Sequence, residues 1–325
     1  MNWPRSVSVL CGGVGGSRFL RGLAQIVQNE RITAVVNTGD DIVLHGLHIS
    51  PDIDIVLYSL ARLIDSKRGW GIRGDTFRCL EAMKKLGMET WFALGDKDLA
   101  THVLRTSLLN KGRTLSEVTQ ELADRLGVRV RVIPMTDQRF ETRIKTPRGW
   151  MGFQEYLVER QMRERILRIG FVGRRKTLPA PGVLRSIITS DLLILPPSNP
   201  FVSIGTIISL PGVREAIERR KGPTVAISPV IGAQVVKGPL AKMMEARGVE
   251  VSSLSVAKMY KGLLDGFVLD NRDSSLVDQV KRTGAMVLVT DTMIASSESS
   301  KRLSREVVEF SRTLTRPATL NLGRN

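Results

Sequence analysis

Four glycines, Gly12, Gly13, Gly15 and Gly16, separate the first β-rich run of the chain from the first helical pattern. Glycine lets backbone N–H groups approach a phosphate closely, and the start of a helix adds partial positive charge. Ser17 adds a hydroxyl at the same place. The loop lacks the Gly-Lys-Ser/Thr of a P-loop, and its spacing is not a regular Gly-x-Gly-x-x-Gly. It predicts a phosphate site, with a tight turn as the alternative.

Four carboxylates follow within a short stretch: Asp40, Asp41, Asp52 and Asp54. Grouped carboxylates repel one another unless a cation or a proton lies among them, and Mg²⁺ binds through a few carboxylates together with substrate phosphates. Asp40 as a turn residue and Asp52 as a helix cap would explain two of the four without a ligand. The pattern predicts that at least Asp41 or Asp54 binds metal or substrate.

Two later loops carry hydroxyl and amide groups suited to phosphate, ribose or base edges. Each could be ordinary turn chemistry, but both follow predicted strands, and Lys237 offers a cation near the second. The candidate ligand-binding residues of these loops are Ser198, Asn199, Ser203, Ser228 and Gly232. The histidines His45, His48 and His102 form no zinc or catalytic pattern. His45 and His48 lie near Asp41 and could touch a ligand, but packing or surface roles are favoured for these two.

The elements that would position these loops follow a β–loop–α–β order. Short β-rich runs occur at Val7–Leu10 and Ile32–Val36, and similar runs at 192–195, 225–227, 266–269 and 286–289 alternate with helical patterns. This order predicts an α/β, Rossmann-like, doubly wound and mostly parallel sheet, with ligands at the carboxyl ends of its strands. Helices are predicted at 55–64 and about 300–314, and a capping box at Thr114–Glu117 opens another.

Residues 128–133 alternate with period two, which is typical of strands half exposed to water. We expect them to begin a smaller basic sub-lobe, inserted at about 128–180 into a single domain that spans residues 1–325. Half of the formal charge of +16 lies between Arg129 and Lys176. A solvated basic face explains this excess best, and attraction of a polyanion or a phosphate-rich small ligand is the alternative. Aromatic residues make up only 5% of the chain and do not interleave with the basic run, so nucleic-acid binding is not expected.

Two cysteines give no disulfide framework, and no segment approaches the roughly 20 apolar residues of a membrane span. A cytoplasmic protein without membrane contact is therefore expected.

Taken together, these segments resemble the 2-phospho-L-lactate transferase family of coenzyme F420 biosynthesis. The matching stretches follow the family order along nearly the whole chain: residues 12–20, 36–41, 49–54, 69–72, 94–102, 153–154, 180–183, 197–205, 227–232 and 291–293. Ala93 departs from the pattern, because family members often carry a basic or other polar residue there, in a position associated with binding of the deazaflavin FO.

The resemblance implies that a terminal ribityl hydroxyl of FO attacks the phosphorus that carries a three-carbon acid in a guanosine diphosphate ester, with Mg²⁺ assisting and GMP leaving. It implies a homodimer, Asp54 as general base or metal ligand, and Asp40 or Asp41 as further metal ligands. The remaining candidates would bind the substrates. The sequence does not distinguish a lactyl, an enolpyruvyl and a glyceryl acid. The alternative function is a non-catalytic nucleotide-sugar-binding regulator of the same superfamily.

Overall fold

The computed structural model describes residues 4–174, 176–235 and 238–314. Its strands in chain order are β1 (Val7–Cys11), β2 (Ile32–Val36), β3 (Ile42–Leu44), β4 (Leu47–Ile49), β5 (Arg131–Pro134), β6 (Glu141–Thr146), β7 (Gly149–Gly152), β8 (Arg168–Val172), β9 (Leu192–Leu195), β10 (Thr224–Ile227), β11 (Val230–Ile231), β12 (Gln234–Val235), β13 (Gly266–Asp270) and β14 (Met286–Thr290).

The helices vary from one turn to four. They are α1 (Gly13–Leu23), α2 (Pro51–Leu60), α3 (Arg78–Lys85), α4 (Asp96–Asn110), α5 (Leu115–Arg125), α6 (Val183–Thr189), α7 (Ile204–Ile208), α8 (Val213–Arg219), α9 (Leu240–Ala246), α10 (Ser253–Met259), α11 (Val277–Lys281) and α12 (Ser297–Ser311). Within the described ranges, no helix is both long enough and apolar enough to span a bilayer.

Seven strands form one parallel sheet in the order β14-β13-β10-β9-β1-β2-β5. The chain winds outward from β1 in one direction through β2 and β5, and from β9 in the other through β10, β13 and β14. The predicted doubly wound α/β fold is confirmed. Its switch point lies between β1 and β9, which is where such folds bind ligands.

Alternation along each buried strand divides its side chains between two helical layers. In β9, Leu192 and Ile194 join the core beneath α1, α2, α5 and α12, whereas Leu193 and Leu195 face the core beneath α6, α7, α8, α10 and α11. Parallel strands covered on both faces read as continuous apolar runs, which is why these strands were recognisable in the sequence.

The predicted basic sub-lobe begins later than expected. Residues 131–134 form β5, an edge strand of the main sheet that pairs in parallel with β2. Its alternation arises because Val130 and Val132 face the core while Arg129 and Arg131 face solvent. The smaller unit is the antiparallel sheet β7-β6-β8, from 141 to 172, and it packs Ile144 against Val202 and Met243.

Two helix boundaries also shift. The helix predicted at 55–64 starts at Pro51, because proline suits the first turn of a helix, where its missing N–H is not needed. The last helix runs over Ser297–Ser311 rather than to Leu314, and Ser296 caps it. The capping box at Thr114 is confirmed, since Thr114 and Glu117 exchange both side-chain-to-backbone hydrogen bonds.

Candidate active site

The switch point brings the glycine loop against the loop that follows β9. A Cβ on Gly15 would collide with the carbonyl oxygen of Pro197, so the close approach of the two loops requires glycine there. Ser198 Oγ donates to the carbonyl oxygen of Gly12 at 2.7 Å and ties the loops together. The first turn of α1 thus lies at the crevice between β1 and β9, where the N-terminus of a helix favours an anion.

A buried pair of carboxylates adjoins this loop. Asn37 Nδ2 donates to Asp40 Oδ2 at 3.1 Å and to Asp52 Oδ2 at 2.8 Å, while the Gly13 N–H donates to Asp52 Oδ1 at 2.9 Å. Asp40 and Asp52 are 5% and 6% exposed. The helix-cap interpretation of Asp52 is therefore incomplete, because its side chain bonds the glycine loop and Asn37.

Burial and mutual repulsion disfavour the ionised forms of these two carboxylates. Burial raises the pKa of Asp52 to about 6. Burial also raises the pKa of Asp40, and the nearby charge of Asp52 adds to the effect. Asp40 Oδ1 is buried without a hydrogen bond of good geometry, although the Thr142 hydroxyl lies close enough to oppose the rise in the pKa of Asp40. An orphaned oxygen beside a second buried carboxylate suits a cation or a shared proton, so the donor set fits Mg²⁺. Among the described residues, no group of three or more His, Cys, Asp or Glu is arranged to hold a metal by itself.

Asp54 lies in a different environment, although it is only two positions from Asp52. Both of its oxygens accept hydrogen bonds from Arg105 of α4: Nη1 lies 3.1 Å from Oδ2, and Nη2 bonds Oδ1. The Arg105 side chain is fully buried, and the Asp54 side chain is 7% exposed. The ion pair neutralises the charge of Asp54, which argues for a role other than metal binding.

His102 extends this network on the next turn of α4. Its Nδ1 lies 3.2 Å from Arg105 Nη1, and because a guanidinium can only donate, Nδ1 is the acceptor of this contact. Nε2 lies 3.4 Å from Asp98 Oδ1, which also accepts from the Tyr58 hydroxyl at 2.6 Å. His102 is only 1% exposed, so it is packed inside the protein, and it also lines the cavity.

Asp41 lies apart from the pair that Asn37 joins. Its Oδ2 accepts from the Ser50 hydroxyl at 2.7 Å and lies 3.1 Å from His48 Nε2. Burial raises the pKa of Asp41, and the His48 and Ser50 contacts oppose that rise. Asp41 is not among the residues that line the cavity.

A cavity of about 600 Å³ connects these groups at the carboxyl ends of the strands. Nine of the predicted residues line it: Gly12, Gly13, Gly15, Asp40, Asp54, Ser198, Asn199, Ser203 and Ser228. Its other part is apolar and includes Trp70, Phe92, Ala93, Phe153, Leu157, Val158, Met162 and Leu240. One open space thus joins a polar rim at the glycine loop to an apolar region lined by aromatic side chains.

Four predicted residues do not line the cavity: Gly16, Ser17, Asp41 and Gly232. Gly16 packs against Ser198, and the Ser17 hydroxyl donates to the Val14 carbonyl of its own helix at 3.0 Å. The Gly232 N–H donates to Asp273 at 3.2 Å. Lys237, expected as a cation near this loop, lies outside the described residues.

Sequence reasoning missed Asn37, His102 and Arg105 as site residues. The sequence did point to Asn37, since it directly follows the second strand and precedes Thr-Gly-Asp-Asp. No sequence pattern pointed to Arg105, because 51 positions separate it from Asp54 and only the packing of α4 brings the two together.

Residues 7–310 match the model of the family described as 2-phospho-L-lactate transferase CofD. The chain belongs to this family. The phosphoenolpyruvate transferase of Streptomyces coelicolor is 42% identical, over 93% of this chain and 97% of the relative. The 2-phospho-L-lactate transferase of Methanosarcina acetivorans is 41% identical, over 92% of this chain and 97% of the relative. The family match favours a transferase over the regulator.

The fold is shared more widely than the family. A solved Bacillus halodurans protein of the UPF0052 family superposes with a TM-score of 0.61 at 17% identity, covering 95% of this chain and 99% of that one. At that identity the likeness concerns the fold alone.

Proposed function

We propose that this chain transfers a phosphate-linked three-carbon acid from a guanosine diphosphate ester to the ribityl hydroxyl of FO and releases GMP. The observation that carries the proposal is the single cavity that joins the glycine loop, the carboxylates and an aromatic-lined region. The diphosphate suits the glycine loop, and the ring system of FO suits the apolar region around Trp70, Phe92 and Phe153.

In this reaction the hydroxyl oxygen forms a bond to the phosphorus that bears the acid, and the bond from that phosphorus to the GMP oxygen breaks. The hydroxyl proton passes to a base. Asp54 is our candidate for that base, because it lines the cavity, and Arg105 orients its carboxylate while each oxygen keeps one lone pair that can accept the proton. Positioning of this kind contributes to catalysis by holding the reacting groups in line.

Mg²⁺, held by Asp40 and Asp52, would supply positive charge to the diphosphate and to the leaving GMP. The support for this assignment is the orphaned Asp40 oxygen and the raised pKa of both carboxylates. N–H groups of the glycine loop and the Ser198 and Asn199 side chains would hold the rest of the donor. Asp54 and Asp41 as metal ligands stay predictions, and their contacts with Arg105 and His48 make them weaker candidates.

The experiment combines the purified chain with FO, Mg²⁺ and either the lactyl or the enolpyruvyl donor. GMP release, with the matching phosphodiester found by mass spectrometry, would support the proposal and identify the acid. Relatives of both named activities are about equally similar, so both donors are needed. Donor binding without GMP release would favour the regulator. EDTA should stop turnover, and added Mg²⁺ should restore it.

A homodimer and a cytoplasmic location are also part of the proposal, since the family resemblance and the ordinary composition support them. Sedimentation at several protein concentrations tests the dimer. A single species with the mass of one chain would rule out the homodimer.

A further inference from the structure

Arg18 introduces a positive charge into a cavity whose carboxylates are otherwise its main charged lining residues. It lies on α1, half-buried, one helical turn beyond Gly15, so the two residues share a face of the helix. Both line the cavity, together with Asp40, Asp52, Asp54 and Asp98. Among the lining residues in the described ranges, Arg18 is the only arginine or lysine.

One backbone contact holds its guanidinium in place. Arg18 Nη1 donates to the carbonyl oxygen of Ile294 at 3.2 Å. The segment before Ile294 is itself fixed, because the Thr292 N–H and hydroxyl donate to Asp270 at 2.9 and 3.1 Å. Arg18 therefore bridges α1 and the loop that follows β14, and its other N–H donors are available to a ligand.

No carboxylate neutralises this charge within the described part of the chain, where no ion pair of 4.0 Å or less involves Arg18. Arg21, one turn further along α1, also feels the charge: burial lowers the pKa of the Arg21 guanidinium, and the positive charge of Arg18 adds to this. A fixed, unpaired guanidinium beside a helix N-terminus is suited to two-point recognition of an oxyanion.

We infer that Arg18 is a donor-recognition residue that binds an oxyanion of the nucleotide ester at the glycine-loop end of the cavity. The inference rests on the proposed function for the identity of the donor. The oxyanion is either the phosphate that bears the three-carbon acid or the carboxylate of that acid, since a guanidinium binds both in the same way. A neutral analogue in that place would lose the contact, so Arg18 contributes to selection among donors.

The test compares Arg18→Gln with Arg21→Gln as the matched control. Both changes remove one positive charge from the same helix, but Arg21 does not line the cavity. Calorimetric titration measures the Kd of GMP, GDP and the donor ester for each variant. If Arg18 contacts the phosphate, Arg18→Gln should weaken GDP and donor about 10- to 100-fold and leave GMP nearly unchanged. If it contacts the carboxylate, only the donor should weaken to that extent.

Arg18→Lys should recover part of the loss, because the charge returns without the two-point geometry. Changes of less than twofold for all three ligands in Arg18→Gln, or equal losses in Arg21→Gln, would overturn the inference. Wild-type protein that binds neither GDP nor donor would also overturn it. Wild-type protein that binds the donor and releases no GMP would contradict the proposed function, while the titrations would still decide the role of Arg18.

Discussion

The buried ion pair between Asp54 and Arg105 gives the sharpest stability prediction. Replacing Arg105 with Met leaves the Asp54 charge without its partner in a place that water hardly reaches, since the two side chains are 7% and 0% exposed. Removing one member of such a pair costs about 3–5 kcal/mol, a large share of the roughly 5–15 kcal/mol that stabilises a typical protein. Arg105→Met should therefore lower the free energy of unfolding by about that amount.

Urea unfolding followed by circular dichroism measures this loss. The double variant Asp54→Asn/Arg105→Met should recover part of the lost free energy of unfolding, because it removes both charges and leaves neither of them buried without a partner. The exposed pair Arg214–Glu218, with side chains 48% and 46% exposed, is the control. Breaking that pair should cost only roughly 0.3–0.5 kcal/mol. A loss below about 1 kcal/mol in Arg105→Met, or no recovery in the double variant, would refute the account of the pair.

Three further predictions concern the site and its scaffold. Gly15→Ala should abolish GDP binding in calorimetry, because its Cβ would strike the Pro197 carbonyl, whereas Gly152→Ala, with open space around it, should bind GDP normally. The pKa of Asp52 is raised to about 6, so the folded state holds this proton more tightly than the unfolded state does, and stability should fall as pH rises from about 4 through 6. Asp52→Asn should flatten this pH dependence in melting curves, and an unchanged pH dependence would contradict the raised pKa. Thr114→Ala should lower the free energy of unfolding by about 1 kcal/mol in urea, through loss of the capping box, and no change would show that the cap contributes nothing.

The sequence was informative wherever a local pattern decides the structure. Strands buried on both faces, such as β9, read as short apolar runs, and the glycine loop marked the turn between β1 and α1. The residues of β5 were expected to begin the basic sub-lobe, but they form an edge strand of the main sheet, because alternation reports partial exposure and not the identity of the neighbouring strand.

The sequence could predict those site residues that directly follow strands of the parallel sheet. The sequence placed Asp40, Asp54 and Ser198 at the rim of the cavity, where the structure has them. The sequence could not show which carboxylates share a partner, because Asn37 joins Asp40 to Asp52 through side-chain hydrogen bonds. The neutralisation of Asp54 depends on the position of α4, which no local pattern in the sequence specifies.

The central claim is that the neighbouring acids Asp52 and Asp54 have different tasks, one at the cation and one at the attacking hydroxyl. Electron paramagnetic resonance of Mn²⁺, titrated into protein with GDP present, measures the first task without turnover. Asp52→Asn should weaken Mn²⁺ binding at least about tenfold, and Asp54→Asn should leave it nearly unchanged while lowering kcat at least about 100-fold. Loss of Mn²⁺ binding in Asp54→Asn, with normal binding in Asp52→Asn, would contradict the account.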